Sequence, residues 1–125
     1  MTDKICLVGK RIPMNVVEPE AVYILLDITP VFGYDSNSVK TDVVVGYTYV
    51  VVNTGSFNQY RIKIERPVPL MPRESLLAMR ERGERVLVEF ENPIVRMYWS
   101  SYQNAYANSF RADAIQQVDE EIQLN

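Results

Sequence analysis

The stretch VVVGYTYVVV, Val43 to Val52, restricts the folds open to this chain more than any other part of the sequence. It consists almost wholly of β-branched and aromatic residues, which pack well on a pleated strand and are crowded in a helix. The turn sequence NTGS follows it directly. The sequence therefore predicts a strand here, in a protein built mainly from β-sheet.

Two more segments in the first half of the chain have the character of strands. AVYILLDITPVF (residues 21–32) is apolar and rich in β-branched residues, and we expect it to end near Pro30 and Gly33. A polar, turn-rich loop (residues 33–42) separates it from the first run. QYRIKIE (residues 59–65) alternates apolar and charged side chains, which is the pattern of a strand with one buried face.

The second half of the chain begins with a helical pattern and then returns to strands. RESLLAMRERG (residues 73–83) contains good helix formers and an apolar stripe, with Gly83 placed to cap the C-terminus. RVLVEFENPIVRMYWS (residues 85–100) has strand character, and Pro93 within it indicates an edge, a bulge or a bend. NAYANSFRADAIQQV (residues 104–118) predicts a last strand, or a strand followed by a short helical turn.

The order of these elements is three strands, one short helix and two strands. This is the order of the OB-fold, a five-stranded, partly open barrel in which the helix lies between strands three and four. We find no internal repeat or linker, so we expect residues 1–125 to form a single OB-like domain with a short acidic tail (residues 119–125).

Composition argues against an enzyme. The chain has no His, and Cys6 is its only cysteine, so the commonest general base and every His-dependent nucleophile are excluded. Glu89 and Glu91 lie two apart on one strand face, but no third ligand is nearby, and a solvated strand face explains them better. We therefore expect no catalytic residues, no cofactor and no metal site.

Charge and hydropathy indicate the setting in which the protein works. Lys and Arg number 13 and Asp and Glu number 16, and Asp119, Glu120 and Glu121 stand together in the tail, so the body is neutral overall. A body that is neutral overall can still contain a local basic groove, but its net charge does not indicate one. No apolar run is long enough for a signal peptide or a membrane span, so we expect a cytoplasmic protein without a membrane partner.

The segment MYWSSYQNAYANSF (residues 97–110) places large flat rings among small, uncharged polar side chains. Unpaired bases need flat rings to stack on, and the phosphates beside them need cationic side chains. On an OB barrel the ligand lies across strands two and three, near the loops that follow strands one and four. These rules give the candidate nucleic-acid-binding residues Tyr47, Tyr49, Arg61, Lys63, Arg96, Tyr98, Trp99, Tyr102 and Tyr106.

Each of these rings also has a structural interpretation. Tyr47 and Tyr49 share a strand face with three valines, which is equally consistent with the interior of a barrel. The rings of residues 97–110 form either a stacking platform, a structural hairpin or an interface between subunits of a homo-oligomer. Four polar residues between the rings favour exposure, because buried polar side chains need internal partners. They are Ser100, Ser101, Gln103 and Asn104.

Three strings in the sequence carry a resemblance to a known family: GYTYVVVNTGSFNQYRIKIE, VLVEFENPIVRMYW and FRADAI, which together span roughly residues 46 to 118. The sequence resembles the small accessory proteins of Gram-positive integrative conjugative elements and related plasmids. The resemblance implies a processivity role beside the element's helicase during rolling-circle replication and transfer. It implies a DNA-processing context and does not identify the binding residues. From the aromatic and basic residues we expect single-stranded DNA, or an element-encoded helicase or relaxase acting on it, as the partner. The resemblance does not extend to the N-terminal third.

Overall fold

A computed structural model of the chain describes residues 11–14 and 22–118, with Arg11 described in its backbone alone. The predicted mainly β character is confirmed, since eight strands and one helix have their bounds within these residues. The elements are β1 (Arg11–Pro13), β2 (Tyr23–Tyr34), β3 (Lys40–Asn53), β4 (Gln59–Ile64), α1 (Arg73–Glu81), β5 (Leu87–Glu91), β6 (Ile94–Ser100), β7 (Ala105–Arg111) and β8 (Ala114–Gln117).

All eight strands belong to one sheet, in the order β1-β6-β7-β4-β3-β2-β5-β8. Strands β2, β3 and β4 form an antiparallel meander, and β4 then pairs in parallel with β7. Strand β7 pairs with β6, while β5 pairs with β2. Only Asn92 and Pro93 separate β5 from β6, so the chain itself connects the strand that pairs with β2 to the strand that pairs with β7.

The predicted count of five strands is not confirmed, because the sheet has eight. The long segment of residues 85–100 is divided at Asn92 and Pro93, and Asn92 adopts a left-handed backbone with φ 51°. The last segment is divided at Ala112 and Asp113 into two strands, so the predicted alternative of a final helical turn is wrong. The remaining additional strand is β1.

Strand β2 continues through the two residues at which the sequence predicted its end. Pro30 pairs with Tyr47, although proline cannot donate to a ladder. On its other edge, β2 pairs with β5 only at Tyr23 and Ile24. Pro30, which has no N–H, therefore lies where β2 has a neighbouring strand on one side only. The predicted loop of residues 33–42 is therefore reduced to the turn between β2 and β3.

The core is formed mainly by side chains of the strands together with Leu76 of the helix. Its fully buried side chains come from all parts of the chain and include Leu25, Tyr49, Ile62, Leu76 and Val88. Along β4 the buried Ile62 and Ile64 alternate with outward residues, as the sequence predicted for residues 59–65.

Helix α1 confirms the prediction for residues 73–83, including the role of Gly83. Gly83 has φ 79°, and the N–H of Glu84 donates to the carbonyl of Met79, which is the Schellman arrangement. The helix is tied to β2 by an ion pair between Arg73 Nε and Asp27 Oδ1 at 2.8 Å. The helix therefore closes one end of the sheet by packing Leu76 into the core.

Two sequence features lie outside the described residues: Cys6 and the acidic tail of residues 119–125. Among the residues that the structure does describe, no helix is both long and apolar enough to cross a membrane.

Candidate nucleic-acid interface

Strand β4 directs its cationic side chains away from the core. Ile62 and Ile64 are buried, whereas Arg61 is exposed and Lys63 is half-buried on the other side of the strand. This division follows from the alternation of side chains along a strand. Two of the predicted binding residues therefore share one face of the sheet.

Strands β6 and β7 extend this face. Val95 is buried, so its neighbour Arg96 points outward, opposite Ser109 of β7. Arg111 of β7 lies directly opposite Lys63 of β4. We call the outward side of β4, β6 and β7 the groove face; it brings together the predicted Arg61, Lys63 and Arg96.

A groove of about 480 Å³ lies on the groove face. Its walls come from three strands and from the segments that follow β4, β5 and β7. The lining residues are Lys63, Glu65, Arg66, Asn92, Ile94, Arg96, Ser109, Arg111, Ala112 and Asp113.

The groove is mainly cationic. Four of its lining side chains are basic and two are acidic. Arg111 Nη1 forms an ion pair with Glu65 Oε1 at 3.0 Å, and Asn92 Nδ2 donates to Asp113 Oδ2 at 2.9 Å. Across residues 11–14 and 22–118, Lys63, Arg66 and Arg96 form no ion pair. These three cations are the ones available to an anionic ligand.

An exposed aromatic ring adjoins the groove. Tyr98 lies two residues beyond Arg96 on the same face of β6, opposite the small Ala107 of β7, and is 43% exposed. The arrangement predicted from the sequence, with a cation and a flat ring side by side on one strand face, is therefore present.

The other rings of the hairpin formed by β6 and β7 point elsewhere. Trp99 and Tyr106 are opposite each other on the reverse side of the hairpin, with ring centroids 5.1 Å apart at an angle of 79°. Both are about half exposed, and Tyr102 in the turn is 97% exposed. The predicted platform is thus divided between two faces, since adjacent residues of a strand point in opposite directions.

Tyr47 and Tyr49 are on the core side of β3. Tyr49 is 1% exposed, and its hydroxyl oxygen accepts a hydrogen bond from the N–H of Leu70 at 3.1 Å. Burial raises the pKa of the Tyr49 phenol. The prediction that Tyr49 binds nucleic acid is wrong, because a base cannot reach its ring. Tyr47 is half-buried and packs against the same core, so the sheet separates it from the groove.

Sequence reasoning did not identify Glu65, Arg66 and Arg111 as part of the site. Arg111 follows Phe110, whose ring packs against the core, so alternation along SFR would have placed Arg111 outward. Its position beside Lys63 depends on the parallel pairing of β4 and β7, which no local pattern indicates.

No protein-family model, no curated protein and no solved structure matches this chain. Over residues 11–14 and 22–118, no three His, Cys, Asp or Glu side chains come together as a metal site. The groove and the hairpin beside it are the features on which a functional assignment can be based.

Proposed function

We propose that this chain is a non-enzymatic single-stranded DNA-binding accessory protein of a mobile genetic element. It holds the strand on the groove face and works in conjugation or rolling-circle replication, in the cytoplasm, beside an element-encoded helicase or relaxase. The observation that carries the proposal is the convergence of four basic side chains on one groove with an exposed tyrosine at its side. The context of a mobile element comes from the sequence resemblance described above.

The chemistry of the groove suits an unpaired strand. Lys63, Arg66 and Arg96 supply positive charge for successive phosphates, and the ring of Tyr98 supplies a surface for a base. Duplex DNA presents phosphates as well, but its bases are already stacked on each other. Tyr98 therefore favours a single strand.

The pairing of the strands supports an OB-like barrel as the finer description of the fold. Counting β5 with β6 and β7 with β8 as one strand each, the ring that starts at β2 has five strands. Helix α1 then lies between the third and the fourth, as in the OB-fold, whose barrels bind oligonucleotides.

Fluorescence anisotropy with a labelled oligo-dT strand tests the proposal. We expect Lys63→Glu with Arg96→Glu to weaken binding strongly and to reduce the slope of log affinity against log salt by about 1.4, since each lost phosphate contact removes about 0.7 for a single strand. The matched control is Arg82→Glu, because Arg82 is paired with Glu84 and does not line the groove. An unchanged slope in the double variant would exclude the groove as the site.

A second candidate function is a protein-interaction adaptor or structural subunit that binds no nucleic acid and uses the hairpin of β6 and β7 as a subunit interface. The half-exposed rings of Trp99 and Tyr106 favour it, because such rings are enriched at protein interfaces. Light scattering distinguishes the two: a subunit interface requires a dimer or larger oligomer whose mass falls to that of the monomer when both rings are removed.

A further inference from the structure

The β6–β7 hairpin extends past the strand beside it. All seven residues of β6 pair with β7, but β7 pairs with β4 only through Phe110 and Arg111. The outer half of the hairpin, from Met97 to Asn108, therefore has no pairing with β4. It begins at the groove and ends in a turn carrying the fully exposed Tyr102.

The two faces of this outer half have different chemistry. The groove face carries the ring of Tyr98, directly beyond the cation of Arg96. The reverse face carries Met97, Trp99, Asn108 and Tyr106, none of which is charged.

The reverse face is also held in a fixed shape. Trp99 and Tyr106 are a cross-strand pair in edge-to-face contact, a geometry that stabilises a hairpin beyond the burial of its area. The rings are therefore positioned before any ligand arrives, although both remain about half exposed.

We propose that the hairpin binds the junction at which a DNA duplex opens into a single strand. This rests on the proposed function, because the single strand occupies the groove on the face of Arg96 and Tyr98. The end of the duplex stacks on the reverse face, against the ring of Trp99, which Tyr106 supports in edge-to-face contact. Tyr102 lies between the two DNA segments, at the point where the strands part.

The lack of charge on the reverse face favours the end of a duplex as its ligand. A phosphate backbone would require cationic side chains, and the segment from Met97 to Asn108 contains none. The last base pair of a duplex is flat and uncharged, and an aromatic surface provides the stacking that it lacks on its open side. The face is also continuous with the groove through the hairpin itself, so one DNA molecule can contact both.

Anisotropy with three labelled DNAs tests the inference: an oligo-dT strand, the same strand attached to a hairpin stem, and a longer dT strand with as many phosphates as the stem-bearing DNA. We expect the stem-bearing DNA to bind at least about fivefold more tightly than either single strand, because the stacking of one base increases affinity by about this factor. The double variant Trp99→Val with Tyr106→Val retains strand-forming residues but lacks the rings, and it should bind all three with similar affinity. Tyr98→Ala should weaken binding to all three alike.

The outcomes separate the two proposals. If the wild-type protein binds no oligo-dT, the proposed function fails. If it binds oligo-dT but shows no preference for the stem, or if the double valine variant keeps that preference, the groove stands and the junction inference is overturned. A fall in oligomer mass in the double variant would likewise overturn it, because the reverse face would then be an interface between copies.

Discussion

Replacing Glu65 with Gln should make DNA binding both tighter and more sensitive to salt. In the wild-type groove Arg111 is neutralised by Glu65 at 3.0 Å, so three of the cations that line the groove are available to phosphates: Lys63, Arg66 and Arg96. Each contact to a single strand contributes about −0.7 to the slope of log affinity against log salt, which gives about −2.1 for the wild type. Glu65→Gln releases the fourth cation and should give about −2.8.

These slopes predict a measurable difference. Between 50 and 200 mM salt the affinity of the wild-type protein should fall by about 20-fold and that of the variant by about 50-fold. Anisotropy titrations with oligo-dT at four salt concentrations are sufficient to distinguish them. Glu84→Gln is the matched control, since Glu84 pairs with Arg82 at 2.7 Å outside the groove. Equal slopes for Glu65→Gln and the control would refute the electrostatic account of this site.

Three further predictions concern the fold. Gly46→Ala should lower the free energy of unfolding by about 1–3 kcal/mol in chemical denaturation, because its Cβ would clash with the carbonyl oxygen of Ile64 at the end of β4; an unchanged midpoint would contradict this. Tyr49→Phe should cost about 1–3 kcal/mol of stability by leaving the N–H of Leu70 without its acceptor, with oligo-dT affinity unchanged. The guanidinium of Arg73 holds the pKa of Asp27 below its usual 3.8, so their ion pair should stabilise the fold fully above about pH 4 and cease to do so as pH falls through the lowered pKa. Arg73→Gln should remove that part of the acid unfolding profile, and an unchanged profile in the variant would contradict this account of the pair.

Much of the secondary structure could be predicted, because it depends on local chemistry. The β-branched run of Val43 to Val52, the alternation around Ile62 and the cap at Gly83 each act within a few residues. The same alternation correctly placed Arg61 and Lys63 on one outward face. Patterns of this kind are reliable where one face of an element is buried and the other is not.

The assembly of the groove and the burial of the tyrosines depend on contacts between distant residues. Arg111 reaches Lys63 only through the parallel pairing of β4 and β7. Tyr49 is amphipathic, so its sequence context permits either side of the sheet; the space beneath α1 and the N–H of Leu70 decide for the interior. Tyr98 and Trp99 are adjacent in the sequence, so a strand must place them on opposite faces. A single surface was predicted because the two rings are chemically similar.

The short interruption at Asn92 and Pro93 also bears on the order in which the protein folds. Strands β2, β3 and β4 are joined by tight turns, so their pairing brings together residues that are near in sequence. Closing the ring requires Tyr23 to meet Val88 and Lys63 to meet Arg111, contacts that carry a much larger loop-closure entropy. During synthesis from the N-terminus, the residues of the meander are made before those that pair with its two edges. The edge of β2 stays unpaired until β5 is available and the edge of β4 until β7 is available, so this is the interval in which the chain is most exposed to misassembly.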